Sequence, residues 1–308
     1  MYSAVSTTRA TWGRRSAHLG RELADSAATA AVLAATAAVG IGRRAGAPAG
    51  WLVSGAAAAG LLGWHYRETT LRLERLIRSA EDAAALSASL GPAAPVFGRW
   101  AAEGDFAGMI VRELERSPRL VVECGSGSTT LVIADKLRQS GSGRVVSLEH
   151  DAFYAARTTR LINLAGLSDL ARVVEAPLRP QQFADRIIEW YDRPIVEEAI
   201  DGEIDVLVVD GPPQLSPWAR WPALEVFYPL LVEDAVVLLD DGRTRQTSRA
   251  VRAWVQQFTD LDLYWLDTVK GTWLLRRGDG SGLGGPLLRI ARLLHPRPSG
   301  FGRWPVHR

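Results

Sequence analysis

Six carboxylates sit where short apolar runs of this 308-residue chain stop. Glu123 closes LVVE, Glu149 closes RVVSLE, Glu175 falls near the end of ARVVEA, Asp210 closes DVLVVD, and Asp240 with Asp241 follows AVVLL. A carboxylate at the end of a buried strand can accept bonds from ligand hydroxyls, face a cation, or take a proton. One such residue could be a helix cap; a succession of them points to a site. The first acid also opens a distinctive loop. GSGSTT at 125–130 puts two glycines one residue apart, followed by small hydroxyl residues.

The elements needed to place these groups are legible. Apolar runs at 120–123, 144–149, 171–176, 205–210, 235–240, 261–267 and 272–277 predict seven strands. Helical patterns are expected at Thr129–Gln139, Ala152–Ala165, Gln181–Tyr191, Pro222–Leu231 and Thr247–Phe258. Only TVKG separates the last two strands, which predicts a hairpin. The runs are continuously apolar, as strands covered on both faces should be. The class is therefore α/β, a mostly parallel sheet of five βα units closed by an antiparallel pair. Ligands of such sheets lie beyond the carboxyl ends of the strands, which is where the acids are.

Three phosphate or nucleotide chemistries compete for the glycine loop. A phosphate-cradling loop of the form GxxxxGK[ST] fails, because no lysine follows. A dinucleotide fingerprint needs a third glycine where this chain has Thr130, and Glu123 is a poor neighbour for a pyrophosphate. An acid suits a ligand that carries an ammonium or sulfonium group instead. With VVECGSGSTT, SLEHD and DVLVVDGPP in order, the chain from about Trp100 to Arg277 resembles a class I S-adenosylmethionine-dependent methyltransferase of the catechol O-methyltransferase-like branch. That resemblance implies a Rossmann-like seven-stranded sheet and S-adenosylmethionine as cofactor. It implies that Gly125, Ser126 and Gly127 approach the cofactor, and that Glu123 orders the loop or receives the methionine end. Glu149, 22 residues after Gly127, would hold two ribose hydroxyls, with His150 beside it and Ala176 at the adenine edge. Cys124, the single cysteine, reads as a packing residue.

In that strand order the fourth and fifth strand ends are neighbours, so Asp210, Asp240 and Asp241 should converge beside the transferred methyl group. Two chemistries follow. Either the three hold a divalent ion, Mg2+ by their all-oxygen character, or Asp210 touches the cofactor while Asp240 and Asp241 shape the turn DDG. Asp210 and Asp241 are the catalytic candidates. Gly211-Pro212-Pro213 supplies no further side-chain base. Trp218, Arg220 and Lys270 are the acceptor-side candidates, with Arg220 facing an anionic acceptor. Two other readings stay open: an NAD(P)-linked oxidoreductase on a similar sheet, and a ligand-sensing membrane module without turnover.

The flanks are of another character. Residues 99–277 hold 21 basic and 27 acidic side chains, whereas the flanks hold 15 and 7. A nucleic-acid enzyme would place positive charge on its working domain, so no nucleic-acid partner is expected. Ser26–Gly42 and Ala45–Trp64 are uncharged and reach roughly 26 and 30 Å as helices. Arginines outside both predict a transmembrane hairpin with both ends cytoplasmic, in a bacterial plasma membrane. Thr69–Leu90 patterns as an amphipathic helix through Leu73, Leu76, Ile77, Ala80 and Ala84, serving either as a homodimer stalk or as a helix packed on the next domain. The expected organisation is a basic segment 1–21, the hairpin 22–66, a linker helix with its Pro/Gly break 67–98, the α/β domain 99–277, and a basic tail 278–308 carrying a short amphipathic helix. The implied partners are membrane lipids and a small or lipid-linked acceptor.

Overall fold

The computed structural model describes residues 47–98 and 101–278. The chain divides into two compact units, Met1–Glu74 and Arg75–Arg308. The basic segment 1–21, the span Ser26–Gly42 and the tail from Asp279 lie outside the described residues. The expected second span and the amphipathic segment form one continuous helix, α1 (Ala47–Ala88). Nothing in WHYRETT breaks a helix, so the two run together. Among the described residues no helix is long and apolar enough to cross a membrane. Alanine and glycine make Ala45–Trp64 uncharged without making it strongly apolar.

In the second unit, the expected stripe on α1 is not the packed face. Ile77, Ala80 and Ala84 stay exposed, while Arg75, Ser79 and Leu90 are buried. Close approach decides this. A Cβ on Gly104 would lie 2.1 Å from the Ser79 carbonyl and 2.7 Å from the Ala83 Cβ, so small residues bring α1 against α2 (Gly104–Glu113). Arg75 pairs with Asp267 at 3.2 Å. Helix α2 was not expected, although Phe106, Ile110 and Leu114 recur every fourth residue and are fully buried.

The seven expected strands form: β1 (Leu120–Cys124), β2 (Arg144–Glu149), β3 (Ala171–Glu175), β6 (Ile204–Val209), β7 (Leu231–Leu239), β8 (Leu261–Leu266) and β9 (Thr272–Arg277). They make one sheet in the order β3-β2-β1-β6-β7-β9-β8, with β9 antiparallel to both neighbours. Helices α3 (Ser128–Ser140), α4 (Ala152–Leu164), α6 (Pro222–Phe227) and α7 (Arg245–Gln257) match expected segments. Residue alternation sends Leu120, Val122 and Cys124 into one core and Val121 into the other. Glu123 follows Val121 in parity and therefore points toward the layer that holds α3.

One expected helix is wrong. Residues 181–191 are not helical: β4 (Leu178–Phe183) and β5 (Arg186–Tyr191) form a separate antiparallel hairpin, followed by α5 (Arg193–Ala199). Period two governs here. Phe183, Ile188 and Trp190 fall on the buried face, whereas Gln182, Ile187 and Glu189 are exposed. Ala184, at φ 49°, makes the turn.

Candidate functional site

The GSGSTT loop crosses the turn after β6 closely. Gly125 has φ 95°, a region costly for a side chain, and a Cβ there would lie 2.9 Å from the Gly211 nitrogen. The Gly211 and Asp210 amides both donate to the Cys124 carbonyl, at 2.5 and 3.0 Å. A Cβ at Gly127 would meet nothing within 4 Å, so the backbone there faces open space.

Glu123 is fully buried beneath this loop. One of its oxygens accepts from Thr130 Oγ1 and Ser147 Oγ, each at 2.5 Å. Thr130 Oγ1 in turn accepts the Gly127 amide at 2.9 Å. Of the two roles expected for Glu123, the geometry supports ordering the loop. Thr130, a misfit for a third glycine, is instead the link between acid and loop. Burial raises the Glu123 carboxyl to about 7, against the lowering by Ser147, Thr129 and Thr130, with the Asp210 charge adding to the rise. Burial also pushes the Cys124 thiol up, consistent with a packing residue rather than a nucleophile.

Glu149 is buried at the end of β2, and both its oxygens are held by neutral donors. Oε2 accepts the Ser126 amide at 3.1 Å and Ser126 Oγ at 3.0 Å. Oε1 accepts the His150 and Asp151 amides at 2.9 and 3.1 Å, and His150 Nδ1 lies 2.9 Å away. Ala176 is buried and donates its amide to the Glu149 carbonyl at 2.7 Å. Glu175, in contrast, is exposed on the edge strand and joins neither cluster. Asp151, which sequence reasoning passed over, caps α4 by accepting the Phe153 and Tyr154 amides at 2.9 and 3.2 Å.

Parallel pairing of β6 with β7 brings the other acids together. Oxygens of Asp210, Asp240 and Asp241 all lie within 4.8 Å of one another. Arg220 was expected to face an acceptor; it faces these acids instead. It is buried, 2.8 Å from Asp241 Oδ2 and 3.5 Å from Asp210 Oδ1. It donates to the Asp240 carbonyl at 3.0 Å, the Pro212 carbonyl at 3.4 Å and the Asp210 carbonyl. A guanidinium matches so many oxygens because its donors form a rigid planar fork. Lys270 Nζ lies 3.7 Å from Asp240 Oδ2 and 4.0 Å from Asp241 Oδ1, and donates to the Ala101 carbonyl at 3.1 Å. The Val269 amide is held by Asp105 at 2.7 Å, so the segment around α2 fixes the hairpin that carries the lysine.

Burial raises the Asp210 carboxyl despite the opposing Arg220 and Lys270 charges. Burial and then Asp210 raise Asp240 well above the carboxylate range. Burial works against the Lys270 charge, but Asp240, Asp210, Asp241 and Glu103 outweigh it and raise that group.

Trp218 packs edge-on to Trp221 at 5.8 Å, with the Arg186 and Arg249 guanidinium groups 4.6 and 5.4 Å from its ring. These contacts describe a packing residue bridging the β4–β5 hairpin and α7. Tyr191, at the end of that hairpin, was missed because its segment was read as a helix. It is fully buried, its hydroxyl has no hydrogen-bond partner among the described residues, and a Cβ on Gly211 would lie 2.5 Å from it.

Residues 122–242, from β1 to the turn after β7, match a family model described as a methyltransferase domain. No curated protein matches the chain. Among solved structures it is similar to a methyltransferase from Geobacter sulfurreducens, at 18% identity over 60% of this chain and 81% of that one, with a TM-score of 0.45. It is also similar to the O-methyltransferase TomG from Streptomyces achromogenes, at 15% identity over 67% and 90% with a TM-score of 0.44. An O-methyltransferase from Bacillus cereus matches at 17% identity over 66% and 90%, with a TM-score of 0.42. The stretch that carries both acid clusters is thus the part of the chain that matches the methyltransferase-domain model.

Proposed function

We propose that the carboxyl edge of this sheet binds S-adenosylmethionine along the GSGSTT loop and directs its methyl group to an oxygen of a small or lipid-linked acceptor. The observation that carries the reading is Glu149: a buried carboxylate aimed by four donors beside a glycine backbone with open space at Gly127. Such an acid suits two ribose hydroxyls, and Gly127 leaves room for a ligand to approach the chain. The cofactor would supply an electrophilic methyl on a sulfonium. The protein's part is to orient donor and acceptor in line and to relieve the acceptor hydroxyl of its proton. In this reading Asp210, partly accessible and with its carboxyl raised, takes that proton, and Asp241, paired with Arg220, faces the acceptor.

Calorimetry with S-adenosylmethionine, S-adenosylhomocysteine and NAD tests the reading. Both sulfur compounds should bind and NAD should not. Glu149→Gln should weaken binding by about tenfold or more, since each charge-assisted bond is worth roughly 1.5–3 kcal/mol. NAD binding, or unchanged affinity in Glu149→Gln, would defeat it.

The site at a cytoplasmic membrane face is proposed from the uncharged Ser26–Gly42 and the arginines around it. Retention of the full chain on membranes through high salt and carbonate supports it, and release by salt alone opposes it.

A further inference from the structure

We propose that Arg220 and Lys270 are built-in counter-ions that stand in for a divalent ion at the Asp210–Asp240–Asp241 cluster. The inference rests on the reading of this edge as the methyl-transfer site. Three carboxylates within 4.8 Å have the composition of a site for a hard cation. Cationic groups of the protein already stand against these oxygens. Arg220 reaches Asp241 Oδ2 at 2.8 Å and lies 3.5 Å from Asp210 Oδ1. Its side chain is 6% exposed, and it is anchored on the carbonyls of Asp210, Pro212 and Asp240, so it cannot swing away without losing three further bonds. Its charge is permanent. Lys270 approaches oxygens that Arg220 does not contact, 3.7 and 4.0 Å from Asp240 Oδ2 and Asp241 Oδ1, and is tied to the Ala101 carbonyl. A divalent ion seated on these oxygens would meet two positive charges at close range.

The consequence concerns the acceptor. A metal would bind and acidify two adjacent oxygens of one substrate. A cluster neutralised by arginine and lysine makes no such demand, and an acceptor with a single nucleophilic oxygen suffices.

The test is a Mn2+ titration of the full-length protein, reading free Mn2+ by electron paramagnetic resonance. Wild type should bind no Mn2+ at this cluster up to millimolar concentration, and its melting temperature should be the same in chelator and in Mg2+. Lys270→Met should unmask the acids: Mn2+ affinity should rise about tenfold or more, and Asp240→Asn in the same chain should abolish the gain. Arg220→Met should do the same where it folds; Lys270→Met carries the test if it does not. Stoichiometric Mn2+ binding by wild type that Asp240→Asn removes would overturn the inference. So would a Lys270→Met variant as indifferent to Mn2+ as wild type, because Lys270 would then not be what keeps the ion from the carboxylates. S-adenosylmethionine binding is measured on the same preparations. Its absence strikes the proposed function and leaves the charge assignment standing.

Discussion

The two halves of one sheet edge treat buried acid in opposite ways. At β1 and β2, both oxygens of Glu149 and one of Glu123 are held by neutral hydroxyls and backbone amides, while the other Glu123 oxygen has no hydrogen-bond partner among the described residues. At β6 and β7, Asp210, Asp240 and Asp241 face an arginine from the loop between β6 and α6 and a lysine from the turn between β8 and β9. Neutral donors orient a carboxylate without cancelling its charge. Cations neutralise the charge and lock the strand ends together. The first half is thereby suited to recognition, the second to holding a fixed reaction geometry.

The sharpest way to break this contrast is Arg220→Met. It removes the buried partner of two partly buried carboxylates, leaving only Lys270 beside them, and should cost about 3 kcal/mol in denaturant unfolding. A loss below about 1 kcal/mol would mean that the arginine is not the keystone of its half.

The next largest effect is pH-dependent and belongs to the neutral half. Glu123 is raised to about 7 in the folded chain from an ordinary 4.5, so between those values the folded state holds more protons than the unfolded one. Stability should therefore fall as pH rises from about 4.5 through 7, by on the order of 3 kcal/mol when the shift is converted. Glu123→Gln should flatten that part of the curve, because Gln keeps the acceptor for Thr130 and Ser147 without the charge. Asp105, raised to about 6 mainly by burial, adds a slope of the same sign, so the difference between variant and wild type is the quantity to read. A curve left unchanged by Glu123→Gln would show that Glu123 is not the titrating group.

Gly125→Ala tests the junction of the halves. Its φ of 95° and the 2.9 Å approach to Gly211 predict a loss of about 1–3 kcal/mol together with weaker cofactor binding. Thermal melts and calorimetry on one preparation would separate the two effects.

Thr130→Val should be mildest. It removes the relay from Glu123 to the Gly127 amide and should cost about 1 kcal/mol, with a loosened loop seen as faster amide exchange at Gly127. If Thr130→Val cost more than Arg220→Met, the ranking of the two halves would be reversed.

Much of this edge was legible beforehand because it is local. Alternation along a strand decides which residues point into each core, and an acid following an apolar run must fall at the strand end. Glu123, Gly125, Glu149, Asp210 and Asp240 all lie where that rule puts them. Rules of the same range failed where two periodicities competed. FADRIIEW supports a helical reading as well as a hairpin, and only burial of Phe183, Ile188 and Trp190 against the core selected the strands. The face of α1 was misjudged for a related reason: its apolar stripe lost to the close approach that Gly104 allows at Ser79 and Ala83.

What the sequence determined by itself was the order of strands and helices along most of the α/β domain, the glycine loop and the identity of the acids at the edge. Which of those acids would be neutralised, and by what, was left to the tertiary structure. Arg220 meets Asp241 because β6 and β7 pair in parallel, and Lys270 meets Asp240 because Asp105 and Ala101 hold its hairpin from more than 160 residues away. Periodicity reports which side of an element a residue occupies. A charge pair between separate loops is set only when the sheet register and the packing of α2 bring those loops within reach.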